Sequence, residues 1–463
     1  MSMKKSAVLL ACVGACALAV ASPSSFAAPP ATAQTIPKAA TSQTVEKATA
    51  LPVGDSDTAL TSKSGEGAPF EPVREQNERA PERIVTIIVQ LDAGTDRADV
   101  LSSINAAVSR VFPENSVEIE REYQNVLQGY ALRAPAGSLE DIRGIRGVKT
   151  AFVDREVRVS SRADGDKGIH AARLTSQDPD NLSSQVMMRT DQVTQKGEGK
   201  VIAIIDTGVD MTHPAFSGAL SGTPALDAAK VASLTPRLGD GKGGTYVSEK
   251  FPFAYDYADG DSDASPAADD SGSHGTHVAG IAAGNADKIM GTAPQAQIIV
   301  AKVSRSQTGE YPDSALLAAL DDMAVLRPDV VNLSLGQTGG MDSEADSVYA
   351  SVYKALRDAG ISVNAAAGNE YSAGYGNLSG KNQSYASDPD TSVLCEPATY
   401  PSVLAVASIE NGTAYAAFIA AGRDVAYQRA RGPEGESAAD LSDLEPGSYE
   451  YVDGGFGTAE DAA

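Results

Sequence analysis

The chain has 463 residues, 42% of them hydrophobic, enough to bury a sizeable core and to exclude disorder as the general state. Lys and Arg number 37 against 61 Asp and Glu, a formal net charge of −24. That balance argues against nucleic acid as a partner, because phosphates call for Lys and Arg.

The chain begins Met1-Ser2-Met3-Lys4-Lys5, and an apolar run follows over residues 7–21. Ser25-Phe26-Ala27 then offers small residues where a signal peptidase reads, so residues 1–27 are expected to be a secretory signal cleaved after Ala27. A membrane anchor would need about 20 apolar residues, more than this run has, and no later stretch is long enough to span. Of three cysteines, Cys12 and Cys16 lie inside the signal, and the apolar run continues past both, which weakens a lipoprotein reading. Only Cys395 would remain, so the mature part has no internal disulfide and must be held by packing. Residues 28–82 are rich in Ala, Ser, Thr, Pro and Glu and read as a disordered linker, since such a composition buries too little to offset chain entropy.

Order is expected from Arg83. Residues 84–91 form a strand pattern, 98–112 have helical spacing through Val100, Leu101, Ile104 and Val108, and strands follow near 117–123 and 129–133. A short helix over 139–145 and a strand over 148–153 complete a β-α-β-β-α-β order, that of a small ferredoxin-like α+β unit. From about Asp191, short, largely apolar strands without alternation (201–205, 298–303, 330–333, 361–365) alternate with helices at 274–283, 314–326 and 347–359. This pattern predicts an α/β fold, a parallel sheet covered by helices on both faces, with function at the carboxyl ends of its strands.

Three segments carry chemistry. In Val201-Ile202-Ala203-Ile204-Ile205-Asp206-Thr207-Gly208, a buried strand runs into an acid, which is costly to bury without a partner. In Ser273-His274-Gly275-Thr276-His277-Val278-Ala279-Gly280, a helix of small residues carries His274 in its first turn. Histidines three apart invite a zinc reading, but a zinc protease would place a Glu between them, and only His170 and His213 remain elsewhere. In Asn364-Ala365-Ala366-Ala367-Gly368-Asn369, a strand of tiny side chains leads to an amide that could stabilise an oxyanion. Each segment alone is unremarkable as structure; together, in the order Asp, His, Asn, they are specific.

These segments resemble the subtilisin-like serine proteases (subtilases, peptidase family S8), and the resemblance covers about residues 191–409. It implies that Asp206 orients His274, that His274 is the general base, and that Asn369 supplies an oxyanion donor. Val331-Asn332-Leu333-Ser334-Leu335-Gly336 also matches, which implies that Ser334, Leu335 and Gly336 bind substrate. The ferredoxin-like unit, 83–159, resembles the inhibitory propeptides of the family, with cleavage expected near 160–168. The subtilisin-like domain is expected over 160–425, and 426–463 resembles the opening of a protease-associated insertion found in the larger, lactocepin-like cell-envelope members. The family's Gly-Thr-Ser-Met-Ala-like turn is not in the sequence; the nearest string, Gly457-Thr458-Ala459-Glu460, has Ala in place of Ser. The nucleophilic serine is therefore expected beyond residue 463, with these residues alone inactive.

The resemblance implies a secreted or cell-envelope endopeptidase acting on protein or peptide substrates, with its own propeptide as intramolecular inhibitor. Its chemistry requires no cofactor. The family often binds structural calcium, and Asp259, Asp261, Asp263, Asp269 and Asp270 form an acidic loop before His274, but no ligand is assigned. The competing reading is a non-catalytic subtilase-like protein that binds peptides or a partner.

Overall fold

The computed structural model describes residues 80–158, 182–266, 273–287, 289–338, 344–368, 394–407, 417–420 and 424–427. The expected signal, nearly all of the linker, the 160–168 stretch and residues 428–463 lie outside the described residues.

The first unit comprises β1 (Ile84–Leu91), α1 (Arg97–Val111), β2 (Glu118–Tyr123), β3 (Gly129–Pro135), α2 (Leu139–Arg143) and β4 (Val148–Val153). Its sheet has the order β2-β3-β1-β4 and every pairing is antiparallel. Asp96 starts α1 by accepting the backbone N–H of Ala98 and Asp99. Val100, Ile104 and Val108, one turn apart, bury the helix against Ile87, Val89 and Leu132. Ile88, Ala131 and Phe152 point the other way and join the core of the second unit. This sheet is therefore buried on both faces, which explains the continuous apolar run of β1.

β5 (Glu156–Arg158) and α3 (Leu182–Met187) lead to the second unit. It continues with β6 (Val201–Asp206), α4 (Ala228–Leu234), β7 (Phe253–Asp256), α5 (His274–Ala283), β8 (Gln297–Lys302), β9 (Glu310–Pro312) and α6 (Asp313–Leu326). Then come β10 (Val330–Leu333), β11 (Gln337–Thr338), α7 (Glu344–Asp358), β12 (Ser362–Ala366), β13 (Cys395–Glu396), β14 (Leu404–Val406), β15 (Ala417–Ala420) and β16 (Asp424–Tyr427). Six strands form a parallel sheet in the order β14-β12-β10-β6-β8-β7. In β6, at its middle, Ile202 and Ile204 face a cluster containing Ala279 and Ala283 of α5. Val201, Ala203 and Ile205 face the cluster containing α6 and α7. A central strand covered on both faces is apolar along nearly its whole length, here up to Asp206. The predicted α/β architecture is the one observed.

Several features were not expected from the sequence, among them the following. β7 adds an edge strand, α4 a short helix, and β5 pairs antiparallel with β9 across the two units. The hairpin of β15 and β16 spans the domain boundary expected at 425.

Candidate active site

Asp206 is the last residue of β6 and is 1% exposed. Burial of a carboxylate requires donors, and its Oδ1 receives the backbone N–H of Thr207 at 2.7 Å and lies 2.8 Å from Nδ1 of His274. Its Oδ2 is buried with no hydrogen-bond partner among the described residues. His274 is the first residue of α5, with its side chain 22% exposed. An ionised carboxylate can only accept, so Nδ1 carries the proton and Nε2 of a neutral ring presents its lone pair. Burial pushes the imidazole pKa down, but the charge of Asp206 and its hydrogen bond push it up, and the net result is a value above the ordinary one.

The contact depends on how closely α5 approaches the end of β6. At Gly275 a Cβ would lie 2.2 Å from the Gly208 carbonyl oxygen and 3.1 Å from Asp206 Oδ1. Gly208 has φ of +98°, a conformation open to glycine, and its neighbour Val209 donates to the Ala264 carbonyl at 3.0 Å. Two hydroxyls pin the junction: Thr207 Oγ1 accepts the Gly275 N–H at 3.0 Å, and Thr276 Oγ1 accepts the Asp210 N–H at 2.8 Å. His277 is exposed, and His213 Nδ1 accepts the Ala215 N–H at the start of a short turn of helix.

Ser334, Leu335 and Gly336 follow β10 at its carboxyl end. Ser334 Oγ accepts from Asn332 Nδ2 at 3.0 Å. Leu335 is buried and lines a small cavity beneath β9. Gly336 lies against the Glu396 backbone, where a Cβ would meet the carbonyl oxygen at 2.4 Å. Gly368 has φ of +114°, and Asn369 lies outside the described residues.

The described carboxylates of the acidic loop are engaged by backbone donors, Asp259 Oδ2 by the Ser306 N–H at 3.0 Å. Asp256 Oδ1 accepts the N–H of Ala258 and Asp259, Asp261 Oδ1 that of Asp263, and Asp263 Oδ1 that of Ser265. Lys302 Nζ pairs with the buried Asp256 at 2.7 Å. Among the described residues no group of three or more His, Cys, Asp or Glu is arranged to hold a metal. Asp269 and Asp270 are outside them.

Sequence reasoning missed the residues that join the two units. Asp321 of α6 is 1% exposed and accepts the backbone N–H of Gln124, Asn125, Val126 and Leu127 at 2.7–3.1 Å. Arg121 pairs with Asp240, and Arg155 Nε donates to Asp313 Oδ2 at 2.6 Å. Nothing in the local pattern marks these residues, because each partner is remote in the chain.

The six-stranded parallel sheet, with an acid at a central strand end held 2.8 Å from a histidine at a helix start, has the subtilisin-like α/β form. The chain belongs to the subtilase family, peptidase S8, whose family model matches residues 197–451, more than half of the sequence. It is 29% identical over 318 residues to the PIII-type proteinase of Lactococcus lactis subsp. cremoris strain SK11, covering 67% of this chain and 15% of that protein. It is 28% identical over 229 residues to the minor extracellular protease Vpr of Bacillus subtilis strain 168, covering 48% and 24%. It is 30% identical over 231 residues to subtilisin E of the same organism, covering 50% and 46%. The chain thus spans well under two thirds of these relatives. Among solved structures, the epidermin leader peptide processing serine protease of Staphylococcus aureus covers 70% of this chain and 69% of its own, at 17% identity and a TM-score of 0.41. Among the described residues no helix is long and apolar enough to cross a membrane.

Proposed function

We propose that this chain is the front part of a secreted or cell-envelope serine endopeptidase that hydrolyses peptide bonds through an acyl-enzyme. The observation that carries the reading is the 2.8 Å contact between Asp206 Oδ1 and His274 Nδ1 at the carboxyl end of the sheet. In this reading a serine hydroxyl supplied beyond residue 463 attacks the substrate carbonyl and passes its proton to His274 Nε2. The carbonyl oxygen becomes an oxyanion, to which the Asn369 side-chain amide donates. The C–N bond then breaks, the departing amine takes the proton from His274, and water repeats the sequence on the acyl ester. Asp206 fixes the Nδ1–H tautomer and stabilises the imidazolium formed in each half-reaction. Ser334, Leu335 and Gly336 lie along the substrate path. No cofactor takes part in these steps; a structural calcium ion is compatible with the family.

The unit 83–159 is the inhibitory propeptide in this reading. Its support is the tail β5, which adds as an antiparallel strand to β9 and so occupies an edge that an extended substrate would use. The secretory signal at 1–27 accounts for export, and Vpr, by its name, is extracellular.

A fluorophosphonate probe tests the reading on the full-length protein. The probe should label one serine covalently with loss of fluoride, and His274→Ala should abolish labelling. Labelling that survives His274→Ala undiminished in a folded protein would refute the assigned base.

A further inference from the structure

Just ahead of β5, the Arg155 side chain enters a pocket built wholly by the second unit. Its Nε and Nη2 reach both carboxylate oxygens of Asp313, at 2.6 and 3.4 Å, and Nη2 lies 4.0 Å from Glu396 Oε1. The Asp313 N–H donates to the Arg155 carbonyl at 3.0 Å, continuing the β5–β9 pairing to this residue. Tyr349 donates its hydroxyl to Asp313 Oδ1 at 2.8 Å, and Tyr400 donates to Glu396 Oε1 at 2.6 Å. Tyr311, Leu335 and Tyr353 complete the walls of the cavity. The carboxylates are almost fully buried, with side chains 3% and 6% exposed, whereas Arg155 is 30% exposed.

We propose that this pocket selects substrates carrying an arginine upstream of the cleaved bond, the side chain entering as Arg155 does while the peptide pairs with β9. The inference rests on the protease reading above and deepens it. Once the first unit departs, the two buried carboxylates remain. A buried negative charge strongly favours a cationic occupant, and a guanidinium fits a carboxylate through two parallel bonds. A leucine would leave Asp313 without its counter-charge, and a glutamate would repel it. Lysine should rank between arginine and leucine, since it offers a point charge without the fork. Backbone pairing along β9 supplies affinity for any extended peptide, so the pocket supplies the choice.

The test uses the processed full-length enzyme and peptides identical except for Arg or Leu at successive positions before the cut. At one position Arg should raise kcat/KM by about tenfold or more, as expected for a charge-assisted pair. Asp313→Asn should bring that ratio close to one, and Tyr349→Phe, which only frees the carboxylate to move, should lower it in part. Equal kcat/KM for Arg and Leu at every position overturns the proposal, and needs no variant to be folded. Binding of the same two peptides, made uncleavable by a reduced scissile bond, to the processed enzyme, read by fluorescence anisotropy, separates the two levels of the argument. A retained arginine preference with no hydrolysis by the unaltered enzyme faults the protease reading and supports the pocket. Equal affinity for the two peptides faults the pocket alone.

Discussion

Gly275 sits so close to Gly208 that one added carbon would lie 2.2 Å from the Gly208 carbonyl oxygen, well inside contact distance. This approach sets the position of α5 and, through it, the reach of His274 to Asp206. Gly275→Ala must displace the helix or the turn, and overpacking of this kind costs about 1–3 kcal/mol. Peptide hydrolysis by the full-length enzyme should fall roughly a hundredfold, since a displacement near 1 Å has that effect on a catalytic group. Urea unfolding together with steady-state kinetics checks both numbers.

The Asp206–His274 pair also sets a pH dependence. Because the folded value of His274 is raised, the pair's contribution to stability is complete below the ordinary imidazole value of about 6.5 and disappears as pH rises through the folded value. Activity runs the opposite way, since the base must be neutral. The acid limb of kcat/KM should therefore have its midpoint above about 6.5. Asp206→Asn should move that midpoint down and lower turnover by orders of magnitude. A pH–rate profile of the two enzymes reads the shift.

Asp321 holds four consecutive amides of the first unit, those of residues 124–127, from a helix almost two hundred residues away. Asp321→Ala leaves these donors without an acceptor, Leu127 buried and residues 124–126 half-buried. The expected loss is about 1–3 kcal/mol, the cost of stranding a buried donor. Hydrogen exchange should show the four amides protected in the unaltered chain and fast in the variant, and the urea midpoint should fall.

The uncleaved chain should respond to pH at Asp154 as well. Burial first, then the nearby Asp313, raises its carboxyl to about 7, although Ser314 donates to it. Docking of the tail therefore takes up a proton. Its contribution is greatest below the ordinary carboxylate value of about 4, declines between there and about 7, and is gone above. Asp154→Asn, which keeps an acceptor for Ser314 without the charge, should flatten the pH dependence of propeptide release measured by size-exclusion chromatography. An unchanged dependence would locate the titration elsewhere.

The legible parts of the fold were those with a dense local signal. β6 is apolar up to Asp206 and β10 apart from Asn332 because both faces are covered, and α1 repeats its buried residues at one-turn spacing. β7 was missed because Phe253-Ala254-Tyr255-Asp256 is four residues long, follows Pro252 and lacks alternation. The pairing of Asp206 with His274 was expected from chain order and resemblance, since nothing in a sequence separation of 68 encodes a distance. Gly208 and Gly275 stand in the quoted motifs, but their mutual contact is a property of the folded backbone. Arg155 and Asp313 are 158 residues apart and belong to different units, so neither composition nor periodicity could pair them.

Steady-state kinetics of the full-length enzyme with His274→Ala and His277→Ala tests the central claim most directly. His274 touches Asp206, whereas His277, one helical turn on, is exposed. His274→Ala should abolish peptide hydrolysis, because a serine hydroxyl without an adjacent base is a poor nucleophile. His277→Ala should retain most of kcat/KM. Equal loss in both variants with the fold intact, or full activity in His274→Ala, would contradict the assignment of His274 as the base.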